Sequence, residues 1–172
     1  MHVFTIGHGV RPLDELVDTL LEAEVEALVD VRRFPGSRRN PQFNQARVAD
    51  ALSDAGIAYR HALELGGRLS GEPGEEDFGC IRVPAFRSYA ARMRSDAWQA
   101  ALEAELGQPT PCFMCAETAW TSCHRRLIAE LLTARGHEVS HLLRPGQREP
   151  HRLFAGSEVR AGMLHLCGSP VA

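Results

Sequence analysis

The chain has 172 residues, of which 44% are hydrophobic and 24% charged, and its net charge is −3. This length favours one domain that buries its core without cross-links. The small net charge gives no sign that the whole molecule binds a polyanion. No apolar run approaches the roughly 20 residues of a membrane helix, and the N-terminal residues lack the pattern of a secretion signal. Five cysteines at irregular spacing fit a reducing compartment, so we expect a cytoplasmic protein without membrane contact.

Strand-like and helix-like segments alternate along the chain. Short apolar runs predict strands at 2–9, 26–31, 57–65, 111–115 and 138–143. Helical spacing of apolar residues predicts helices at 11–24, 44–55, 85–106 and 123–135. The Gly- and acid-rich segment 69–82 predicts a surface loop. We therefore expect one α/β domain over residues 1–172, with a mostly parallel sheet, helices on both faces, and an irregular C-terminal extension at 144–172.

Polar residues follow most of the predicted strands. His8 ends the first strand, Asp30 and Arg32 end the second, and Cys115 and Glu117 end the fourth. His61 lies at the third. Because the carboxyl ends of parallel strands gather at one edge, where such folds bind ligands, we expect a site there.

The segment CAETAWTSCHRR, residues 115–126, supports two chemical interpretations. In the first, Cys112, Cys115, Cys123 and His124 provide zinc-type ligands. Cys112 and Cys115 point to opposite faces if they share a strand, which opposes a four-ligand knuckle. A looser site built from Cys115, Cys123, His124 and His8 remains open.

In the second interpretation, the cysteines are reactive thiols. Cys115 attacks a substrate and Cys123 resolves the intermediate, as in thiol or sulfur-transfer chemistry. A helix N-terminus with His124 and Arg125 beside it would favour the thiolate. Free cysteines are also commonly buried and inert, and that is what we expect of the remaining three, Cys80, Cys112 and Cys167.

Arginines provide a third pattern, because every basic residue is Arg and four of them lie in RRFPGSRR, residues 32–39. Arg32, Arg38, Arg68 and Arg125 are candidates for anion binding. No phosphate-loop or dinucleotide fingerprint is present, so the cofactor stays unknown. A nucleic acid or a phosphorylated small molecule is the expected partner, although a solvated basic loop explains the cluster equally well. Oligomeric state is not predicted.

Carboxylates and histidines complete the candidate set. Asp30 or Glu117 could act as a base or orient an Arg or His, and Asp30 could simply pair with an arginine. Aromatic residues near the arginines, Phe34, Phe43 and Tyr59, could stack on bases or pack in the core. We expect no shared role for the histidines of the C-terminal side: His137, His141, His151 and His165.

The order of motifs TIGHG, LVDVRRFPGSRRNPQFN, AYRHALELGGR and CAETAWTSCHRRLIAELL resembles the prokaryotic family called domain of unknown function 488. The resemblance implies these site residues: Gly7, His8, Asp30, Arg32, Pro35, Ser37, Arg38, Phe43, Asn44, Gly66, Gly67, Arg68, Cys115, Glu117, Cys123, His124 and Arg125. Gly9 stands where the family commonly has Ser, so no hydroxyl is required there. The family name states no activity, and some members carry labels that suggest DNA repair.

Three functions are consistent with these patterns. The first is an enzyme that acts on a nucleic acid or nucleotide-like anionic substrate at an Arg/Cys/His/carboxylate site. The second is a non-enzymatic module that binds nucleic acid or protein through the arginine loop. The third is a thiol redox or sulfur-handling enzyme, which requires Cys115 and Cys123 to meet.

Overall fold

A computed structural model describes residues 1–36 and 38–171. Five α-helices lie within these residues: α1 Leu13–Glu22, α2 Gln45–Asp54, α3 Pro84–Arg92, α4 Asp96–Leu106 and α5 Arg125–Ala134. The strands are β1 His2–Gly7, β2 Ala27–Asp30, β3 Ala58–His61, β4 Pro111–Cys115, β5 Glu138–Arg144, β6 Gln147–Pro150, β7 Ser157–Arg160, β8 Met163–Leu166 and β9 Ser169–Pro170.

Six strands form one sheet in the order β3-β2-β4-β1-β5-β6. All neighbours are parallel except β5 and β6, which are antiparallel. Central strands such as β2 and β4 are buried along their whole length, as expected for a sheet covered on both faces. The predicted α/β class, with a mostly parallel sheet and helices on both faces, is confirmed.

Successive side chains along each strand point to opposite faces of the sheet, so they pack into two separate cores. Phe113 and Cys115 of β4 belong to the core that contains α5, whereas Cys112 and Met114 belong to the core that contains α1. Cys112 and Cys115 therefore point to opposite faces of the sheet, as predicted from their spacing.

The chain changes direction between β1 and β4, which are neighbours in the sheet. From β1 it runs through α1 to β2 on one side, and from β4 it runs through α5 to β5 on the other. The loops that follow these two strands therefore diverge and leave a crevice, the usual ligand position in open α/β sheets. The residues beyond Gly7 and Cys115, which are paired in register, lie at this point.

Three segments differ from the sequence-based expectation. The helix predicted at 85–106 is two helices, because Ser95 caps α4 by accepting a hydrogen bond from the Trp98 backbone N–H at 3.3 Å. The helix predicted from Cys123 begins at Arg125. The described part of the predicted C-terminal extension, residues 144–171, is more regular than expected, since β6 extends the main sheet and β7–β9 form a small antiparallel sheet.

A disulfide joins Cys80 in the acidic loop to Cys167 in the small sheet, with a Cα–Cα distance of 5.5 Å. Of the three cysteines expected to be buried and inert, Cys112 is a buried free thiol, whereas Cys80 and Cys167 are not buried and connect the loop after β3 to the C-terminal strands. Among the described residues, no helix has the length and apolar character needed to cross a membrane.

Candidate functional site

The predicted site residues form two groups, on opposite faces of the sheet edge. Asp30 lies on the same face of β2 as Leu28, in the α1 core. Cys115 lies on the same face of β4 as Phe113, in the α5 core. The rim therefore carries a carboxylate–arginine–histidine group on one side and a cysteine–histidine–arginine group on the other.

Asp30 and Arg32 form a buried ion pair. The Arg32 guanidinium donates to Asp30 from Nε at 2.9 Å and from Nη2 at 2.6 Å, and from Nη1 to the Phe43 carbonyl at 2.7 Å. The Tyr59 hydroxyl donates to the same carboxylate at 2.7 Å, and burial is the main cause that raises the pKa of Tyr59. The hydrogen-bonding groups of Asp30 and Arg32 are occupied by other groups of the protein. We therefore infer that the pair mainly stabilises the loop after β2.

His8 extends the same group. Its Nδ1 donates to the Gly9 carbonyl at 2.9 Å, so Nε2 is free to accept from Arg32 Nη1 at 3.3 Å. The ring stacks on Phe43 with the centroids 4.1 Å apart. Burial lowers the pKa of His8 to about 4, although the hydrogen bond to Gly9 opposes this shift, so the ring is neutral at pH 7. His8 faces away from the cysteines.

The second group centres on two sulfur atoms in contact, those of Cys115 and Cys123. Their Cα atoms are 7.4 Å apart, slightly more than the roughly 4.4–6.8 Å usual for a disulfide. Cys115 ends β4, and Cys123 follows a loop that returns to the same point before α5 begins. The fold thus brings together the two thiols that the third sequence-based function requires to meet.

Arg125 lies directly behind Cys115 and is 1% exposed. Its Nη1 donates to Cys115 Sγ at 2.7 Å and to the Glu117 carbonyl at 2.5 Å, and its Nη2 donates to the Thr118 carbonyl at 2.8 Å. Burial lowers the pKa of Arg125 to about 10, so it is still charged at neutral pH. Among the described residues, no carboxylate forms an ion pair with this guanidinium.

Gly7 explains why the loop and Arg125 approach β1 so closely. A Cβ at this position would overlap the Glu117 carbonyl oxygen and lie 2.6 Å from Arg125 Nη1. A larger residue would therefore push the loop between Cys115 and Cys123, the cysteine loop, away from the sheet.

His124 lies beside Cys123 on the same side. Its Nε2 donates to the Val31 carbonyl at 3.1 Å, which leaves Nδ1 as the acceptor, 3.6 Å from Cys123 Sγ. Burial lowers the pKa of His124 to about 4. The ring packs against Gly67, where a Cβ would lie 2.5 Å from Nδ1, so this glycine lets the turn after β3 close over the histidine.

A pocket of about 180 Å³ opens above these groups. Cys115, Cys123 and His124 line it, together with the exposed side chains of Arg33, Arg68 and Glu117. Phe34 and Phe86 contribute aromatic surface. The pocket is thus small, contains both sulfurs, and has charged groups at its mouth.

Some predicted site residues lie outside this pocket. Arg38 is exposed and does not line it. Arg32 lines it, but its guanidinium is paired to Asp30. His61 contacts the group indirectly, with Nε2 at 2.9 Å from the Arg32 carbonyl. Ser37, implied by the family resemblance, lies outside the described residues.

The lining residues that sequence reasoning missed include Arg33 and Phe86. Arg33 was visible in RRFPGSRR, but choosing it over Arg32 requires knowing that Asp30 holds Arg32. Phe86 comes from α3, far along the chain, and no local signal indicates it. Sequence reasoning also missed a buried contact between His141 Nε2 and His151 Nδ1 at 2.9 Å.

Within residues 1–36 and 38–171, no cluster of three or more His, Cys, Asp or Glu side chains is arranged to hold an ion. His8, a possible additional ligand of the looser zinc site, is bonded to Gly9 and Arg32 instead.

Comparison with known proteins gives one match. The family described as "Domain of unknown function DUF488" matches residues 12–132, which includes β2, β4, the cysteine loop and the start of α5. No curated protein and no solved structure matches the chain. Since the matched segment covers well over half of the sequence, the protein belongs to the DUF488 family.

Proposed function

We propose that this protein is a dithiol–disulfide oxidoreductase whose reactive groups are Cys115 and Cys123. The observation that carries the proposal is the contact between these two sulfurs at the floor of a pocket, beside a buried guanidinium. The proposal selects the thiol enzyme from the three functions consistent with the sequence. Neighbouring thiols of this kind exchange electrons with substrates by making and breaking disulfides.

The surroundings of the two cysteines differ, and this difference assigns their roles. Cys115 accepts a hydrogen bond from Arg125, a cation without a carboxylate partner in the described structure, so its thiolate is the natural counter-ion. Cys123 faces the lone pair of neutral His124 Nδ1, which suits a protonated thiol. Cys115 is therefore the attacking thiolate and Cys123 the resolving thiol.

The reaction proceeds in two exchanges. The Cys115 thiolate attacks one sulfur of a substrate disulfide, forms a mixed disulfide and releases the first substrate thiolate, which takes a proton from water. The Cys123 thiol then attacks the Cys115 sulfur, and the second substrate thiolate leaves. The proton of Cys123 passes to His124 Nδ1 and from there to this leaving thiolate. Two electrons move from the protein to the substrate. A cellular thiol, such as a reducing cytoplasm supplies, returns the pair to the dithiol.

Trapping of the intermediate tests these roles. Reduced Cys123→Ser protein mixed with a small disulfide should accumulate a mixed disulfide on Cys115, visible in its intact mass and located by peptide mapping. Cys115→Ser, the matched variant, should accumulate none. If neither wild type nor either variant consumes the disulfide faster than the unfolded chain does, the protein is not an oxidoreductase of this kind.

Exposed groups on the arginine loop favour a second candidate, nucleic-acid binding. Arg33, Phe34, Arg38 and Arg39 are all exposed, and Phe34 is 64% exposed with the Arg33 guanidinium 5.9 Å from its ring centroid. Cationic and aromatic groups together suit single-stranded nucleic acid. Fluorescence anisotropy across salt concentrations should then give a slope of log affinity that becomes shallower in Arg38→Gln. Affinity that is the same in Arg38→Gln and wild type would reject this candidate.

A further inference from the structure

Two guanidinium groups without an ion-pair partner among the described residues lie at the mouth of the sulfur pocket, the pocket lined by Cys115 and Cys123. Arg33 and Arg68 both line it and both are exposed. Neither forms an ion pair with another described residue, in contrast to Arg32 in the same lining. Glu72 interacts with Arg33 at a distance, but its carboxylate is already bonded to Arg92 at 2.6 and 2.9 Å. Both guanidinium groups are therefore available to a ligand.

The other charges at the pocket do not cancel these cations. Glu117 is the one carboxylate among the lining residues, and it opposes two arginines. Arg32 is neutralised by Asp30, and Arg125 lies beneath Cys115. With a thiolate at Cys115 offsetting Arg125, the pocket keeps a net positive charge. An anionic substrate would be attracted to it, and a cationic substrate would be repelled.

The backbone conformation at Arg68 places this residue at the mouth of the pocket. Arg68 has φ +60°, a left-handed conformation that residues with a Cβ rarely adopt. The preceding Gly67 lies against the His124 ring, so the turn is anchored to the cysteine group.

We propose that the substrate is a low-molecular-weight disulfide that carries carboxylate groups, held by Arg33 and Arg68 while Cys115 attacks its sulfur. This inference rests on the proposed oxidoreductase function. The forked guanidinium group matches a carboxylate with two parallel hydrogen bonds. The pocket is smaller than the roughly 300–1,000 Å³ typical of sites for drug-sized ligands, which favours a compact substrate.

Three symmetrical disulfides of similar size, which differ in charge, test the inference. Dithiodipropionate is anionic, hydroxyethyl disulfide is neutral and cystamine is cationic. Each is mixed with the fully reduced wild-type protein, and the loss of protein thiols is followed in a single turnover. Rates are divided by those of the same disulfides with dithiothreitol, which removes differences in intrinsic reactivity.

The normalised rate should be highest for dithiodipropionate and lowest for cystamine, with a ratio of roughly tenfold at low ionic strength that shrinks as salt is added. Arg33→Gln and Arg68→Gln should each reduce this ratio. Arg47→Gln, which removes an exposed arginine of α2 outside the pocket, should leave it unchanged.

The outcomes separate the two proposals. Equal normalised rates for the three disulfides, or a preference for cystamine, would overturn the charge selection and leave the oxidoreductase in place. A preference that survives both pocket variants would overturn the roles of Arg33 and Arg68. Failure of all three disulfides to oxidise the protein would reject the oxidoreductase itself.

Discussion

Arg125 donates a hydrogen bond from Nη1 to Cys115 Sγ at 2.7 Å, and both residues are almost completely buried. A buried cation is costly unless it is compensated. Here the same guanidinium also holds the carbonyls of Glu117 and Thr118. One side chain thus positions the cysteine loop and provides the positive charge next to its first sulfur.

Replacement of Arg125 should therefore slow the reaction of Cys115. In reduced protein at pH 6, we expect the rate of Cys115 alkylation by iodoacetamide to fall by about tenfold or more in Arg125→Gln, since the charged hydrogen bond is lost. Arg125→Lys should retain part of the rate because it keeps the charge. Cys112 is an internal control: burial raises the pKa of its thiol, and it should stay unmodified while the protein is folded.

An unchanged alkylation rate in folded Arg125→Gln would contradict the assignment. Thermal melting of each variant shows whether it is folded. Arg125→Gln should also be less stable, because the carbonyls of Glu117 and Thr118 lose their donors.

Gly7→Ala should destabilise the protein through the same loop. The added methyl group would overlap the Glu117 carbonyl oxygen, and the expected loss is about 3 kcal/mol in the free energy of unfolding. Gly36→Ala is the control, since a Cβ there meets nothing within 4 Å and should change stability by less than about 0.5 kcal/mol. Urea denaturation measures both, and equal effects would show that the close approach at Gly7 is not needed.

Acid should destabilise the protein because three buried histidines must stay neutral. Burial is the main cause that lowers the pKa of His8 and His124 to about 4 and of His141 to about 3, from the ordinary value of 6.5. Below pH 6.5 the unfolded chain binds protons that the folded protein does not. Stability is therefore lost as pH falls from about 6.5 to about 4.

His8 and His124 should each contribute about 3 kcal/mol to this loss, and the contribution of His141 should continue to grow down to about pH 3. Urea denaturation at several pH values should show stability rising with pH across that window. His8→Gln should show a shallower dependence than wild type. A flat profile between pH 4 and pH 6.5 would contradict the neutral assignment of these rings.

The buried pair of Asp30 and Arg32 predicts a stability effect. Asp30→Asn leaves the Arg32 guanidinium without its carboxylate, and the expected loss is about 3–5 kcal/mol. Tyr59→Phe, which removes only the hydroxyl bonded to the same carboxylate, should cost about 1 kcal/mol. Chemical denaturation compares the two variants, and an Asp30→Asn protein as stable as Tyr59→Phe would show that the ion pair contributes little.

Sequence reasoning located the rim of the site but not its two sides. Strand ends placed His8, Asp30 and Cys115 together because parallel strands share one polarity. The face of the sheet on which a side chain lies depends on the register between the strands. Asp30 of β2 lies opposite Met114 of β4, not opposite Cys115, so it shares the face of Met114. The carboxylate therefore lies on the opposite face from the first thiol, and the acid–base role considered for Asp30 has no geometric support beside the cysteines.

Contacts between residues far apart in the sequence could not be predicted from local sequence patterns either. His141 and His151 meet because β6 turns back along β5, and the Cys80–Cys167 disulfide spans 87 residues. Nothing in the spacing of these residues indicates such contacts. In contrast, the return of Cys123 to Cys115 spans only 8 residues, and a short strand–loop–helix segment was enough to suggest it.

Disulfide mapping of the Cys115–Cys123 pair tests the central claim most directly. Fully reduced protein is exposed to a small oxidised thiol, quenched, alkylated under denaturing conditions and digested with trypsin. The arginine positions place Cys112, Cys115 and Cys123 in one tryptic peptide, residues 95–125. Our account predicts that this peptide carries one alkyl group, on Cys112, and has lost the hydrogens of the other two thiols. A peptide that remains alkylated at all three cysteines under every oxidising condition would contradict it.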